Sequence, residues 1–399
     1  MGFSACKPAA RMKYSVIAKG RRSACMVLLM ASLFAGACPT WAQAPLSTAL
    51  REQIVTVPKG SGLTLLELEA TLFKPPGAGP FPVVVLNHGK SPGDAHFQDR
   101  ARYEAQVREF VQRDYLVIIP MRQGFSKSGG SYMGSGCNVE GNGRSQAQDV
   151  LATLQYLKTV PEADLSRVLV AGQSHGGLTT MAFGELAYPG VKGLINFAGG
   201  LRQENCAGWE SGLASAMGAF GRKTTVPSLW FYGDNDSYWQ PWLYREMHQR
   251  YTESGARARL VAYGAFGSDA HAMFSSRAGL AIWVPEVERF LVELGLPSQK
   301  RHQIALMAHA QPVPAATDWA AREDDKAVPF VGQTGRDGYL KFLELDAPKA
   351  FAISPKGVWS YIWGRANAMT AALERCNQRA KEPSCRLYAV DDHVVWNKE

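Results

Sequence analysis

From about Leu63 the chain alternates short apolar runs with longer stretches whose apolar positions recur every three or four residues. Period-2 and continuous apolar runs mark strands, and the 3.6-residue period marks helices. The clearest strands are Val83–Asn87, Leu116–Pro120, Val168–Ala171, Gly193–Phe197, Ser228–Tyr232 and Arg259–Tyr263. Unbroken β-branched runs such as Val83-Val84-Val85 imply strands covered on both faces. Between them, Ala101–Gln112, Ser145–Lys158, Gly177–Leu186, Pro241–Ser254 and Ala281–Leu294 read as helices, and Leu63–Phe73 as an earlier antiparallel strand. This alternation predicts an α/β domain, a mostly parallel sheet with helices on both faces, over residues 45–300.

After Leu296 the alternation stops. Residues 301–318, with Pro312-Val313-Pro314, read as a linker. Beyond it, Phe351–Ser354 and Val358–Trp363 read as strands, Arg365–Arg379 as a helix and Leu387–Trp396 as a final strand or hairpin. Residues 319–399 thus form a small C-terminal α+β module, a candidate for attachment to a partner of unknown kind.

A hydrophobic content of 46% and a charged content of 20% exclude a disordered chain. The net charge of +8 suggests nucleic-acid binding only until its charges are located. Lys7, Arg11, Lys13, Lys19, Arg21 and Arg22 precede residue 45 with no acidic residue among them, so most of the excess is local. These residues lead an apolar run from Ala24 to Cys38 and the small-x-small end Ala42-Gln43-Ala44. Residues 1–44 therefore read as a bacterial-type signal peptide cleaved after Ala44, with Met12 an alternative start, and the protein as periplasmic or secreted. The run falls short of a stable membrane span. Cleavage leaves four cysteines, Cys137, Cys206, Cys376 and Cys385. An even count in an oxidising compartment favours disulfides, with Cys137–Cys206 and Cys376–Cys385 the expected pairs.

Two stretches fit Gly-x-Ser-x-Gly. In Gly89-Lys90-Ser91-Pro92-Gly93, the residues after the serine do not launch a helix, so Ser91 reads as a loop residue. Gly172-Gln173-Ser174-His175-Gly176 lies between the strand ending at Ala171 and a helical stretch. Small residues two before and two after the serine permit the strained strand–turn–helix on which such nucleophiles sit. A serine hydroxyl needs a base, and on this architecture the order is serine, acid, histidine. His271, just past the last strand, is the expected base. His248 falls on a helix, and His302, His309 and His393 lie in or beyond the linker. The acid should follow Ser228–Tyr232, where Asp236 is preferred and Asp234 is the alternative. The backbone N–H groups of His175 and Lys90 are the candidate oxyanion donors, with His88 bracing the loop of the second. Asp391, Asp392 and His393 read as a solvated turn; no metal or other cofactor is expected.

Residues of about 60–296 resemble the dienelactone hydrolase-like group of α/β-hydrolases. The likeness rests on His88-Gly89, Arg122-Gln123-Gly124-Phe125-Ser126, the Ser174 pentapeptide, Gly233-Asp234-Asn235-Asp236 and His271, in that order. True dienelactone hydrolases use a cysteine where this chain has Ser174, which favours a general serine esterase acting on a small ester or acyl substrate through an acyl-enzyme. Two further readings are a prolyl-oligopeptidase-like peptidase, although that family's N-terminal propeller is missing from the sequence, and a non-catalytic binding protein on a hydrolase scaffold. The stretches Gly129–Gly143 and Leu201–Lys223 leave strand carboxyl ends, where a Cys137–Cys206 bridge would join them over the site. Phe125, Tyr132, Trp239 and Phe274 are candidate pocket walls, with plain core or rim packing the alternative for each.

Overall fold

The computed structural model describes residues 46–397 except 135, 305, 306, 344 and 346; the signal-peptide expectation lies outside these. An eight-stranded sheet organises the chain up to about residue 296. Its strands are β1 (Gln53–Lys59), β2 (Leu66–Phe73), β3 (Phe81–Asn87), β4 (Leu116–Pro120), β5 (Ala163–Gln173), β6 (Val191–Phe197), β7 (Ser228–Tyr232) and β8 (Ala258–Ala262). The spatial order is β1-β2-β4-β3-β5-β6-β7-β8. β1 and β2 pair antiparallel, as do β2 and β4; from β4 to β8 every pairing is parallel. All the connections that leave β3 to β8 at their carboxyl ends therefore converge on one edge, and the candidate chemistry lies there.

Side chains on successive strand residues point to opposite faces. Val83 and Val85 of β3 enter one apolar core, which is covered by α2 (Val139–Leu157), α3 (His175–Gly184), α4 (Trp209–Gly221) and α5 (Pro241–Glu253). Val84 and Leu86 enter the other, covered by α1 (Glu104–Val111) and α6 (Leu280–Glu293). Every residue of β3 and β7 is buried, as expected of strands covered on both faces.

In this part of the chain, three elements differ from expectation. β1 is an edge strand with a mixed exposed and buried pattern, which left little apolar signal. α2 begins at Val139, six residues before the expected start, because Asn138 caps it by accepting the Gly141 N–H at 2.7 Å. The stretch 201–223, expected to leave a strand carboxyl end beside the site and not assigned a helix, contains α4. Gly212, Gly218 and Gly221 weaken its helical signature, yet its Leu213, Met217 and Phe220 are buried. Gly221 also allows close packing, since a Cβ there would lie 2.4 Å from the Tyr251 carbonyl oxygen on α5.

The C-terminal part adds α7 (Gln333–Leu343), β9 (Lys349–Ile353), β10 (Trp359–Trp363), α8 (Ala368–Ala380), β11 (Arg386–Val390) and β12 (His393–Val394). Its four strands form a separate antiparallel sheet in the order β10-β9-β11-β12. Phe351 and Ile353 of β9 pack into an aromatic cluster with Tyr339 and Phe342 of α7, whereas Ala350 and Ala352 face α8. α7 had no sequence signal clear enough to expect. The described residues of 301–318 form no helix or strand but are tied at several points. The backbone N–H groups of Arg301 and His302 both donate to the Gln112 carbonyl, His309 Nε2 meets Asp391 Oδ1 at 2.9 Å, and the Thr317 N–H donates to Val394.

Candidate active site

The turn between β5 and α3 places Ser174 at φ 55° and ψ −121°, a left-handed backbone rarely adopted by a residue with a side chain. Its neighbours have no room for a Cβ. At Gly172 one would meet the Gly176 carbonyl oxygen at 2.1 Å, and at Gly176 the Asn87 carbonyl oxygen at 2.1 Å. The Ser174 N–H donates to Phe197 O at 2.9 Å, and Ser174 O accepts from Gly177 and Gly200. Ser91, by contrast, is exposed in a loop followed only by a short 3-10 turn at Ala95–Phe97.

Asp236 is buried in the turn after β7, and His271 is partly buried after β8. His271 Nδ1 lies 3.0 Å from Asp236 Oδ2 and 3.1 Å from Oδ1. The carboxylate also accepts the backbone N–H groups of Tyr238 at 2.8 Å and Trp239 at 3.1 Å. Asp234 points elsewhere and accepts the Tyr244 hydroxyl at 2.8 Å. His271 approaches the serine turn through its carbonyl oxygen, which accepts from Gln173 Nε2 at 3.4 Å. Asp269 holds the histidine loop by accepting the His271 N–H at 2.9 Å and the Ser237 N–H and hydroxyl at 3.0 and 2.6 Å. Burial raises the Asp269 pKa, but the bonds from Ser237 and His271 outweigh it and leave the carboxyl below its ordinary value. Gln173, Tyr238 and Asp269 were not singled out from sequence, since each acts through contacts that cross between loops.

The loop after β3 brings Gly89 against the serine: a Cβ there would lie 3.4 Å from Ser174 Cβ. His88 Nδ1 donates to the Gly89 carbonyl at 2.7 Å, and its Nε2 accepts the Arg122 N–H at 3.2 Å. Lys90 follows, its ammonium donating to Ser91 O and Gly93 O and lying 5.5 Å from the Tyr132 ring centroid. His175 is the first residue of α3, and no contact was expected of its ring. The ring is nonetheless buried, with Nδ1 3.1 Å from Arg122 Nη2 and Nε2 2.7 Å from Asn142 Oδ1. Burial first, then the Arg122 charge, holds both His88 and His175 well below the ordinary histidine pKa. Each also turns one ring nitrogen to an Arg122 donor, as only a neutral imidazole can.

Of the expected pocket walls, Phe125 is buried beneath this region, 4.7 Å from the His88 ring and 5.2 Å from Tyr132. Trp239 lies 6.2 Å from His271, with its indole N–H donating to Ala198 O at 2.7 Å. Tyr238 is nearer the histidine, with ring centroids 4.4 Å apart. Phe274 belongs to a core stack with Phe197 at 4.1 Å and Trp283 at 5.7 Å. Cys137 and Cys206 are joined by a disulfide with Cα atoms 5.6 Å apart, linking the loop before α2 to the one before α4; Cys376 and Cys385 form a second disulfide. Among the described residues, no group of three or more His, Cys, Asp or Glu side chains is placed to hold a metal ion, and no helix is long and apolar enough to cross a membrane.

Residues 62–226 match the X-Pro dipeptidyl-peptidase (S15) family. No curated protein matches the chain. Among solved structures, it is similar to a candidate dienelactone hydrolase from Klebsiella pneumoniae subsp. pneumoniae, at 18% identity and a TM-score of 0.44, over 61% of this chain and 98% of the other. It is similar to an esterase from Pyrococcus furiosus at 14% identity and a TM-score of 0.45, over 63% and 96% of the two chains. It is also similar to dipeptidyl peptidase 4 from Porphyromonas gingivalis at 15% identity and a TM-score of 0.47, over 61% of this chain and 35% of that longer one. Given its own strand order, the parallel strands from β4 to β8 and the sharp turn from β5 into α3, the chain has an α/β-hydrolase fold with a small antiparallel module added at its C-terminal end.

Proposed function

We propose that the protein is an exported serine hydrolase that cleaves esters or related acyl bonds through an acyl-enzyme. One observation carries this reading: the strained backbone of Ser174 shares the carboxyl edge of the sheet with the hydrogen-bonded Asp236–His271 pair. In the mechanism, the Ser174 hydroxyl adds to the acyl carbon as His271 Nε2 takes its proton. Asp236 keeps the other ring proton on Nδ1 and stabilises the imidazolium that forms. The tetrahedral oxyanion accepts from the His175 and Lys90 backbone N–H groups. On collapse, His271 gives the proton to the departing alcohol. Water, activated by the same histidine, then hydrolyses the acyl-serine and restores the enzyme. The two disulfides support an oxidising compartment, in keeping with the leader sequence.

The S15 family match over residues 62–226 favours a second reading, a peptidase that releases an amine where an esterase releases an alcohol. The same three side chains would serve both. The test is labelling of the protein with a fluorophosphonate probe, peptide mapping of the adduct, and turnover of short-chain p-nitrophenyl esters against Xaa-Pro p-nitroanilides. A label on Ser174 with ester turnover is the expected result. A label on Ser174 with faster anilide turnover would select the peptidase, and a label on Ser91 would refute the assignment of the nucleophile. No label at all would favour a binding protein on this scaffold.

A further inference from the structure

Arg122 stands out among the buried polar groups. Its side chain is wholly inaccessible, and among the described residues no carboxylate lies within 4.0 Å of its guanidinium. Burying a cation with no counter-ion in contact is costly: burial pushes the Arg122 pKa down to about 10, the buried Asp149 carboxylate offsets part of this at longer range, and hydrogen bonds fix the guanidinium in place. Arg122 Nε donates to Gln146 Oε1 at 2.9 Å and Nη2 to His175 Nδ1 at 3.1 Å, while Phe125 lies 5.2 Å beneath it. Nη1 is buried with no partner among the described residues.

The same residue reaches the other side of the site through its backbone. Its N–H donates to His88 Nε2, which fixes His88 as the Nδ1–H tautomer whose proton binds Gly89 O. Its guanidinium fixes His175 as the opposite tautomer, with Nε2–H donating to Asn142 Oδ1. Asn142 in turn donates to Met133 O at 2.7 Å, in the loop whose Cys137 is bonded to Cys206. His88 lies in the turn leading to Lys90, and His175 is the residue after Ser174. Arg122 therefore touches both halves of the oxyanion hole from behind, one through its main chain and one through its side chain.

We propose that Arg122 is a positioning residue that sets the spacing between the two oxyanion donors, the N–H groups of His175 and Lys90, by clamping His175 and His88 together. This rests on the reading of Ser174 as nucleophile. Donors that must meet a developing charge lose their effect when displaced by about an ångström, and such a loss acts on the transition state more than on bound substrate.

The test is ester turnover by the full-length protein and the variants Arg122→Met, Arg122→Lys and His88→Phe, with kcat expressed per fluorophosphonate-labelled site and the inhibition constant of a boronic acid measured alongside. Arg122→Met keeps the stem and removes the donors, Arg122→Lys keeps the charge and removes the fork, and His88→Phe removes the acceptor of the Arg122 N–H. The expected result is a fall in kcat per labelled site of about 10²-fold in Arg122→Met. KM should stay within about twofold, and boronic acid affinity should weaken in step with kcat/KM. A purely structural arginine would lower the number of labelled sites but leave kcat per site and boronic acid affinity as in the wild type, and that result in any folded variant overturns the inference. If Arg122→Met does not accumulate, Arg122→Lys and His88→Phe decide on the same criteria. Ser174→Ala separates the two levels: if it still turns over ester, the nucleophile is wrong, whereas an inactive Ser174→Ala beside unaffected Arg122 variants removes only the clamp.

Discussion

Asp236 serves His271 and its own turn with a single carboxylate: both oxygens lie within 3.1 Å of the imidazole Nδ1, and Oδ1 also accepts the N–H groups of Tyr238 and Trp239. The orientation of the acid is thus set by backbone that the turn itself supplies. Asp236→Asn retains the shape but can present an N–H to the imidazole, favouring the wrong tautomer. The expected loss in kcat for ester hydrolysis is about 10⁴-fold. Asp234→Asn should leave kcat near wild type, because that carboxylate faces Tyr244. Steady-state kinetics on both variants decide between the two acids, and a larger loss from Asp234→Asn would exchange their roles.

What the sequence made legible follows from the range of the interactions. β3, β4, β6 and β7 were readable because strands buried on both faces must be apolar at successive positions, and Ser174 because a strand, two small residues and a helix adjoin it directly. Asp236 and His271 were expected from the strands they follow, together with the order serine, acid, histidine. The Arg122 clamp was not readable. Its contacts join residues separated by 53 positions to His175 and 34 to His88, and nothing local marks them. α4 was missed for the opposite reason: Gly212, Gly218 and Gly221 dilute its helical period, and Gly221 is there for close packing against α5.

The disulfides differ in what they constrain. Cys137–Cys206 closes a separation of 69 residues between the loops before α2 and α4, and Cys376–Cys385 one of 9 within the small module. On chain-entropy grounds their removal should cost about 4 and about 3 kcal/mol respectively. Replacing Cys137 and Cys206 with serine should also raise KM, because the loops before α2 and α4 lose their tether. Replacing Cys376 and Cys385 should leave ester kinetics unchanged. Denaturant midpoints and kinetics on the two double variants check this, and equal effects on KM would deny the first bridge any special relation to the site.

Gly176 and Gly212 give a matched pair. A Cβ at Gly176 would lie 2.1 Å from backbone at Asn87, whereas one at Gly212 on α4 meets nothing within 4 Å. Gly176→Ala should therefore destabilise by about 3 kcal/mol or more and abolish activity, since neither β3 nor the turn can retreat independently. Gly212→Ala should stabilise by roughly 0.5–1 kcal/mol through helix propensity. Thermal unfolding of the two variants separates a steric requirement for glycine from mere tolerance of it.

His88 and His175 make stability depend on pH in a definite direction. Burial, reinforced for both by Arg122 and for His175 also by His88 and Lys90, holds their native pKa values well below the ordinary histidine value. In the unfolded chain each returns to about 6.5. Below that pH the unfolded state binds more protons than the native state, so stability is fully present above it and falls as the pH drops through it. Each histidine contributes about 1.4 kcal/mol per pH unit in this window, or about 2.7 kcal/mol for the pair. The depressed carboxyls, among them Glu52, Glu109 and Asp269, have the same sign but act lower, as the pH falls below about 4.5. Urea midpoints should therefore be flat between pH 8 and 7 and fall steeply between pH 6 and 5. His248, whose burial also lowers its pKa, adds a contribution of the same sign, and His88→Gln should remove about half of the slope that His88 and His175 supply together. A midpoint that stays level down to pH 5 would mean that the histidines on either side of Arg122 take up protons in the native state, which the guanidinium between them makes unfavourable.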